Sequence, residues 1–404
     1  MGDVARRCVF YVGGFDPKGA AHYHALYRDE CARQPTADGL QRTVGPRRRQ
    51  ANDNAAWQIQ ARGSTGPVDT HYECLRWDDI VRQHWPRSTA ALWWQVIAST
   101  LFYLRHGTWW RMFRLSWPPA VAVFTPFLLV CALLLGIPLV AGGGGWWVAK
   151  QLQQPVAGVA AALLVAVGLW WAGRRIEARY SMYWLMRSYA FTARQARGEV
   201  PVLEERLQAL AQQVVARVRS GVDDEVLLVG HSSGAIMAAS ILARALRIAP
   251  DLAGGRCRLA LLTLGQWIPL LGLLPMAGPF RDELRLLGAT RGLQWTDFSA
   301  PPDGCCFALT HPITACGVPH DAADGAKVKL LNPRFAEQFD ATAYAALKRD
   351  KFRLHFQYLH AAPQPGDYDY FAITSGPLSL AQRYAAQPSV EDFHRLRWRR
   401  RPPA

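Results

Sequence analysis

Two long stretches without a charged residue limit the architectures open to this chain of 404 residues. They cover residues 118–145 and 155–173, and tryptophans flank both, as is common where helices meet a membrane interface. At about 1.5 Å per residue, each is long enough to cross a hydrocarbon core of about 30 Å. A pair of buried core helices is the alternative interpretation. We predict a hairpin of two transmembrane helices, at about 118–140 and 155–173.

The distribution of basic residues predicts the orientation of this hairpin. Several arginines precede the first span and follow the second, whereas Lys150 is the basic residue between them. Basic residues favour the cytosolic side of a membrane. We therefore expect both outer flanks in the cytosol and a glycine-rich turn across the membrane. The chain starts without an apolar leader, which predicts that the N-terminus begins in the cytosol.

The regions on either side of the hairpin alternate strand-like and helix-like segments. They are residues 1–90 and 200–380, and the interval 91–190 contains the hairpin. Buried strands that alternate with helices are typical of a parallel sheet covered on both faces. We therefore predict an α/β fold with a mostly parallel sheet flanked by helices, into which the hairpin is inserted.

Three other segments have predictions of their own. The polar stretch 34–54 is rich in turn-forming residues and predicts a loop or mobile excursion. The segment 92–117 mixes aromatic residues, leucine and arginine, which favours a helix lying in the headgroup region of a bilayer. Residues 381–404 form a basic tail, and beside a bilayer such a tail would bind anionic headgroups.

The charge balance favours an anionic partner. The chain has 46 Lys and Arg against 31 Asp and Glu, a formal net charge of +15. Because the arginines cluster beside the spans, we expect that partner to be the anionic cytosolic leaflet of a lipid bilayer and not nucleic acid. Segment 305–316 holds three cysteines and His311 but lacks the paired C-x-x-C of zinc sites. We expect free thiols, no metal and no organic cofactor, and find no signal for an oligomeric state.

The segment 225–246 contains the motif that carries chemistry. A short apolar strand is followed by Gly-His-Ser-Ser-Gly at 230–234 and then by an alanine-rich helix. In this setting G-x-S-x-G holds a serine on a strained turn, with its hydroxyl projecting from the sheet. The helix N-terminus then offers unpaired N–H groups to an oxyanion. Ser232 is the candidate nucleophile, and an ordinary turn serine is the alternative.

On these residues the chain resembles the α/β-hydrolase superfamily, in particular its lipase- and esterase-like members. The resemblance covers about 1–85 and 200–380, with the hairpin as an insertion. It implies that Ser232 is the nucleophile and that the amide of Ser233 is one oxyanion donor. The loop "YVGGFDP" at 11–17 corresponds to the family's second donor loop, which implies the amide of Phe15. The chain has Gly13 where many members carry histidine, a departure that leaves the donor in this loop open.

The same resemblance implies an acid and then a histidine after the serine. Asp303 lies in a Pro/Gly turn after a strand and is favoured over Asp297, which lies inside that strand. His355 lies in "KFRLHFQYLH", which resembles the family's histidine loop, and His360 is the alternate. Capping or turn aspartates and ordinary core histidines are the competing interpretations.

The predicted function is that of a membrane-anchored serine hydrolase with a cytosolic catalytic domain. It would cleave an ester, lipid-like or acyl, through an acyl-enzyme. A catalytically silent hydrolase fold that serves as a membrane-tethered interaction module is the alternative. A peptidase or a thioesterase that uses the same triad is a third hypothesis.

Overall fold

A single sheet lies at the centre of the protein. The computed structural model describes residues 4–35, 38–63 and 66–398. Within these residues nine strands pair in the order β2-β4-β5-β1-β6-β7-β8-β9, and β3 pairs with β4. The strands are β1 (Arg6–Val12), β2 (Gln41–Val44), β3 (Arg48–Arg49), β4 (Ala55–Arg62), β5 (Val68–Cys74), β6 (Glu225–His231), β7 (Arg258–Leu264), β8 (Gln294–Phe298) and β9 (Lys327–Leu331).

The sheet is mixed, so the prediction of a mostly parallel sheet is wrong. The strands from β5 through β1 to β9 pair in parallel. β2, β3 and β5, in contrast, pair with β4 antiparallel. Only residues 63–67 separate β4 from β5, and a connection of that length joins antiparallel neighbours, because a parallel crossover needs a dozen residues or more.

The segment 34–54 is not a plain loop, because it contains β2 and β3. The sequence analysis also missed β4, although its pattern is that of a half-buried strand. Trp57, Ile59 and Ala61 are buried, and the residues between them are exposed. This alternation with a period of two residues was the available signal.

Seventeen α-helices, counted over the described residues, cover the sheet and form the inserted region. They are α1 (Gly19–Arg33), α2 (Asp78–Gln83), α3 (Thr89–Arg105), α4 (Thr108–Leu115), α5 (Trp117–Cys131), α6 (Ile137–Leu152), α7 (Pro155–Tyr180), α8 (Met182–Ala196), α9 (Pro201–Arg219), α10 (Gly234–Ile248), α11 (Ile268–Gly272), α12 (Gly278–Ala289), α13 (Phe335–Gln338), α14 (Ala341–Arg349), α15 (Lys351–Phe356), α16 (Tyr370–Ser375) and α17 (Leu380–Arg383).

The two faces of the sheet bury separate hydrophobic cores. Along β6, Val226 and Leu228 point to the core that α9, α10 and α12 cover. Leu227 and Val229 point to the opposite core, which α1 and the C-terminal helices cover. Since the regions 1–90 and 200–380 both contribute strands, they form one folded unit around the inserted region.

The inserted region contains two helices that are long and apolar enough to cross a membrane. The first runs over Trp117–Leu152, with a π-helical turn between α5 and α6, and the second is α7. The side chains of Leu139, Val156 and Leu164 are 74%, 81% and 75% exposed. Such exposure argues against the alternative of two buried core helices, because a core helix hides its apolar side chains.

The glycine-rich stretch 142–145 lies inside α6, so the prediction that it forms the hairpin turn is wrong. The turn consists of Gln153 and Gln154. The glycines serve helix contact: a Cβ on Gly145 would lie 2.6 Å from the carbonyl oxygen of Gly158 and 2.7 Å from the Cβ of Ala162. Small residues let apolar helices approach closely in this way.

The segment 92–117 forms two helices, α3 and α4, and not one. Gly107 separates them with a left-handed backbone, φ +63°. α3 packs against α8, where the Tyr103 hydroxyl donates to the Tyr189 carbonyl at 3.1 Å. In α4, Met112 is buried and Trp110 is exposed, so one face of the helix packs against the protein and the other is open to the surroundings. The described end of the basic tail reaches this region, because the Trp117 amide donates to the Leu396 carbonyl at 3.0 Å; residues 399–404 lie outside the described chain.

We expect Gly145→Val to destabilise the hairpin and Gly143→Val to leave it unchanged. The new side chain at 145 collides with α7, and overpacking of this kind costs about 1–3 kcal/mol. A Cβ on Gly143 meets no heavy atom within 4 Å. Thermal unfolding of the two detergent-solubilised variants measures the difference. Equal Tm values would contradict the described contact between α6 and α7.

Candidate active site

Ser232 occupies a strained turn between a strand and a helix. β6 ends at His231 and α10 begins at Gly234. The φ of Ser232 is +59°, in the left-handed region that residues other than glycine rarely adopt. Such a conformation costs about 1–3 kcal/mol and persists only where the surroundings impose it. Positions like this one cluster at functional sites.

The two glycines that flank the turn have no room for a side chain. A Cβ on Gly230 would lie 2.6 Å from the Cα of Ala235. A Cβ on Gly234 would overlap the carbonyl oxygens of Val12 and Gly13 at the end of β1. The spacing Gly-x-Ser-x-Gly is therefore what lets α10 start directly against β1 and β6.

A hydrogen bond positions Ser232 at the carboxyl end of the parallel strands, and the next residue precedes α10. The Ser232 amide donates to the Leu264 carbonyl, at the end of β7, at 2.9 Å. Ser233 precedes the first residue of α10, so its amide belongs to the N–H groups that no residue within the helix accepts. Those N–H groups make the start of α10 favourable for negative charge.

Asp303 and His355 form a buried pair. Asp303 lies in the turn after β8, and His355 lies in α15. His355 Nδ1 and Asp303 Oδ2 are 2.9 Å apart, and each side chain is 1% exposed. Two residues that are 52 positions apart in the sequence therefore meet away from solvent.

The charge state of Asp303 determines which histidine nitrogen carries the proton. Burial by itself raises the pKa of Asp303, but the charge and hydrogen bond of His355 and the amide of Cys305 lower it, and the net pKa is below the ordinary value. The ionised carboxylate can only accept, so Nδ1 of His355 donates. In neutral His355, Nε2 then has a free lone pair. Nε2 is buried and has no hydrogen-bond partner among the described residues.

His231, the residue before the serine, links the serine turn to this pair. His231 Nε2 donates to the His355 carbonyl at 2.9 Å, and their rings lie 5.0 Å apart. Burial, followed by the nearby His355, lowers the pKa of His231 to about 3, so this residue stays neutral near pH 7. Gly265, the residue after β7, lies close to the acid, because a Cβ added there would be 3.3 Å from Asp303 Oδ2.

Two aromatic residues that the sequence analysis gave no role support the pair. The Tyr358 hydroxyl donates to Asp303 Oδ2 at 3.1 Å and accepts from the Ala300 amide at 2.8 Å. The Trp184 ring of α8 lies 6.4 Å from the His355 ring. The sequence offered a signal for Tyr358, because it lies three residues after His355 in the same histidine-containing segment. Trp184 had none, because its approach depends on how α8 packs.

The loop after β1 covers the serine. A Cβ on Gly14 would lie 3.1 Å from the Cβ of Ser232. The amide of Phe15, the second predicted oxyanion donor, donates to the Ser233 hydroxyl at 2.8 Å. The Phe15 ring packs against Phe191 at 4.8 Å and against Trp77 at 6.0 Å, which anchors the loop to α8 and to the start of α2.

The two alternate residues lie in other hydrogen-bond networks. Asp297 is fully buried within β8, where it accepts from the hydroxyls of Thr263 at 2.7 Å and Ser299 at 2.8 Å. Burial raises its pKa to about 7. Nδ1 of His360 donates to the Phe356 carbonyl at 2.8 Å. The structure brings Asp303, and not Asp297, to His355.

The site holds no cluster of metal ligands in the described residues. His311, from the cysteine-containing segment, lies with its ring 5.0 Å from that of His320. Burial, followed by His320, lowers the pKa of His311 to about 4.

We expect the pH dependence of stability to differ between wild type and Asp297→Asn. The pKa of Asp297 rises from 3.8 to about 7 on folding. The folded state therefore keeps a proton that the unfolded state has lost, and stability falls as pH rises from about 4 to 7, by up to about 1.4 kcal/mol per unit. Thermal unfolding at pH 5 and pH 7 should show wild type losing stability relative to the variant. Parallel pH profiles of the two proteins would contradict the raised pKa.

Comparison with known protein families, with curated proteins and with solved structures finds no match for this chain.

Proposed function

We propose that this protein is a membrane-anchored serine hydrolase of the α/β-hydrolase type, with Ser232, His355 and Asp303 as its catalytic triad. One observation carries the proposal: Ser232 has a left-handed backbone at a strand–helix turn, and the preceding His231 is hydrogen-bonded to the carbonyl of His355, which forms a buried pair with Asp303. The strained backbone presents the serine at the end of the sheet, and a catalytic triad is an arrangement that uses a serine held in this way.

The proposed reaction is acyl transfer from an ester. His355 Nε2 accepts the proton of Ser232 Oγ as that oxygen bonds to the ester carbonyl carbon. Collapse of the tetrahedral intermediate breaks the bond to the alcohol oxygen, which takes the proton from Nε2. Water then repeats the two steps, releases the carboxylic acid and restores the serine. Asp303 stabilises the imidazolium that forms each time.

The oxyanion donors are the amides of Ser233 and Phe15. The Ser233 amide has the favourable position at the start of α10. The Phe15 amide is bonded to the Ser233 hydroxyl, which must rotate about a single bond before this amide can bind the oxyanion. A donor directed at developing negative charge contributes about 3–4 kcal/mol to catalysis.

We further propose that the two exposed apolar helices span the membrane, with the sheet domain in the cytosol. Basic residues support this orientation. Arg174, Arg175 and Arg179 follow the apolar part of α7 on the proposed cytosolic side, whereas the opposite side, near the hairpin turn, has Lys150. A catalytic domain held at the anionic cytosolic leaflet meets lipid-like esters most often, and that is the substrate class proposed here.

A fluorophosphonate probe tests the triad, because such probes react with activated serines. We expect the detergent-solubilised protein to be labelled at Ser232. Labelling should disappear in Ser232→Ala and should fall at least about a thousandfold in rate in His355→Ala, since triad members act as a unit. Gel fluorescence and peptide mapping give the extent and the site of labelling.

Asp303→Asn and Asp297→Asn are a matched pair for the acid. Both residues are buried carboxylates on or just after β8, and only Asp303 contacts His355. We expect Asp303→Asn to lose most of the labelling rate and Asp297→Asn to keep it. A folded wild-type protein that stays unlabelled would reject the hydrolase proposal.

A charge inside the hairpin tests the membrane proposal. Leu164→Arg places a guanidinium on the exposed face of α7, at a cost of about 2.5–3.5 kcal/mol for insertion. We expect this variant to leave the carbonate-resistant membrane fraction, whereas Val222→Arg, an exposed change on the sheet domain, should stay in it. Unchanged fractionation of Leu164→Arg would contradict a membrane-spanning α7.

The catalytically silent, membrane-tethered module remains the second candidate. The observation that favours it is the bond between the Phe15 amide and the Ser233 hydroxyl, which leaves one oxyanion donor engaged. The labelling experiment separates the two candidates.

A further inference from the structure

An apolar cavity of about 570 Å³ lies where the inserted helices join the sheet domain. Its walls come from the first turns of α5, from the junction of α7 and α8, and from the turn after β8. Its volume is within the range of about 300–1,000 Å³ that small-molecule sites occupy. Lys351 is the one charged residue among the described residues that line it.

The cavity shares its walls with the acid–base pair. Gly304 and Cys305 line it, and they directly follow Asp303; the Cys305 amide donates to Asp303 Oδ1 at 2.9 Å. Lys351 lies one helical turn before His355 in α15. Leu185 lines the cavity next to Trp184, whose ring approaches the His355 ring. The wall of the cavity therefore includes the residues that follow Asp303 and a residue one helical turn from His355.

The same cavity is open on the side of the hairpin. Trp117, Val121 and Tyr180 line it and are 43%, 41% and 51% exposed. These residues belong to the first and last turns of the two helices that are long enough to cross a membrane. With the hairpin in a bilayer, this opening lies at the cytosolic ends of the spans, where acyl chains meet headgroups.

We infer that this cavity binds the acyl chain of a lipid-like ester, which enters from the bilayer between α5 and α7. The inference rests on the proposed hydrolase function. An apolar chain matches the lining, which is mostly apolar and includes tryptophan, proline, valine, alanine, methionine and leucine side chains. The ammonium group of Lys351 then lies beside the polar end of the lipid. A lipid that arrives by this route passes from the hydrocarbon phase to the cavity without crossing water.

Chain-length dependence tests the inference. The full-length protein in detergent is assayed with p-nitrophenyl esters of four to sixteen carbons. For wild type we expect kcat/KM to rise about fourfold for each methylene that the cavity buries. Ala122→Phe and Thr125→Phe both place a ring in the cavity, and either should flatten this rise, so that long-chain esters react no faster than the four-carbon ester. Val159→Phe, on the exposed face of α7, is the control and should behave as wild type.

A second measurement does not depend on the variants. A long-chain fluorophosphonate with a diazirine at the chain end labels the wild-type protein and is then photolysed. We expect crosslinks in segments 117–125, 180–185 or 301–305. Crosslinks confined to other segments would overturn the inference, as would an unchanged chain-length profile in both folded cavity variants.

The two proposals fail in different ways. If a short-chain fluorophosphonate labels Ser232 but the cavity variants and the crosslinks show no involvement of the cavity, the acyl-chain inference alone is rejected. If the short probe leaves folded wild type unlabelled, the hydrolase function is rejected and the inference falls with it.

Discussion

The close approach of α10 to β1 and β6 is the constraint on which the site depends. Because Gly234 leaves no space between the start of α10 and the Val12 and Gly13 carbonyls, the chain must turn sharply at Ser232. The cost of the left-handed serine, about 1–3 kcal/mol, is small beside the burial of α10 between α9, α12 and the sheet. The packing of the helix holds the strained residue in place, and the same packing sets the distance to the loop that carries Phe15.

The pKa values of two buried carboxylates, Asp297 in β8 and Asp303 in the turn after it, shift in opposite directions. Asp297 accepts from two neutral hydroxyls, which offset its desolvation only in part, so its pKa rises to about 7. Asp303 faces the His355 imidazole and accepts from the Tyr358 hydroxyl, and its pKa falls. Both have lost contact with water, so the partners decide which one stays ionised. The one that stays ionised is the one that can orient a histidine.

The sequence predicted local features well and spatial contacts poorly. The turn at 230–234 was predictable because a strand and a helix that meet in so short a turn leave no room for a Cβ at either glycine. β4 was missed, although Trp57, Ile59 and Ala61 alternate with polar residues, because turn-forming residues precede it. Since β4 provides the antiparallel pairs, the mixed character of the sheet was missed as well. Gly145 was assigned to a turn, since its role appears only when α6 meets α7. Asp303 and His355 were paired through a family resemblance, and the bond of the Phe15 amide to Ser233 had no signal in the sequence.

The pairing of β1 with β6 also sets an order of assembly. The buried ion pair of Arg7 and Glu225, 2.7 Å long, joins residues that are 218 positions apart. During synthesis, β1 therefore waits with an unpaired edge until both apolar helices have been made. Closing so long a loop is slow, and exposed strand edges recruit other chains. Because the hairpin brings Trp117 and Tyr180 to one cavity, its formation shortens the loop that β1 and β6 must close.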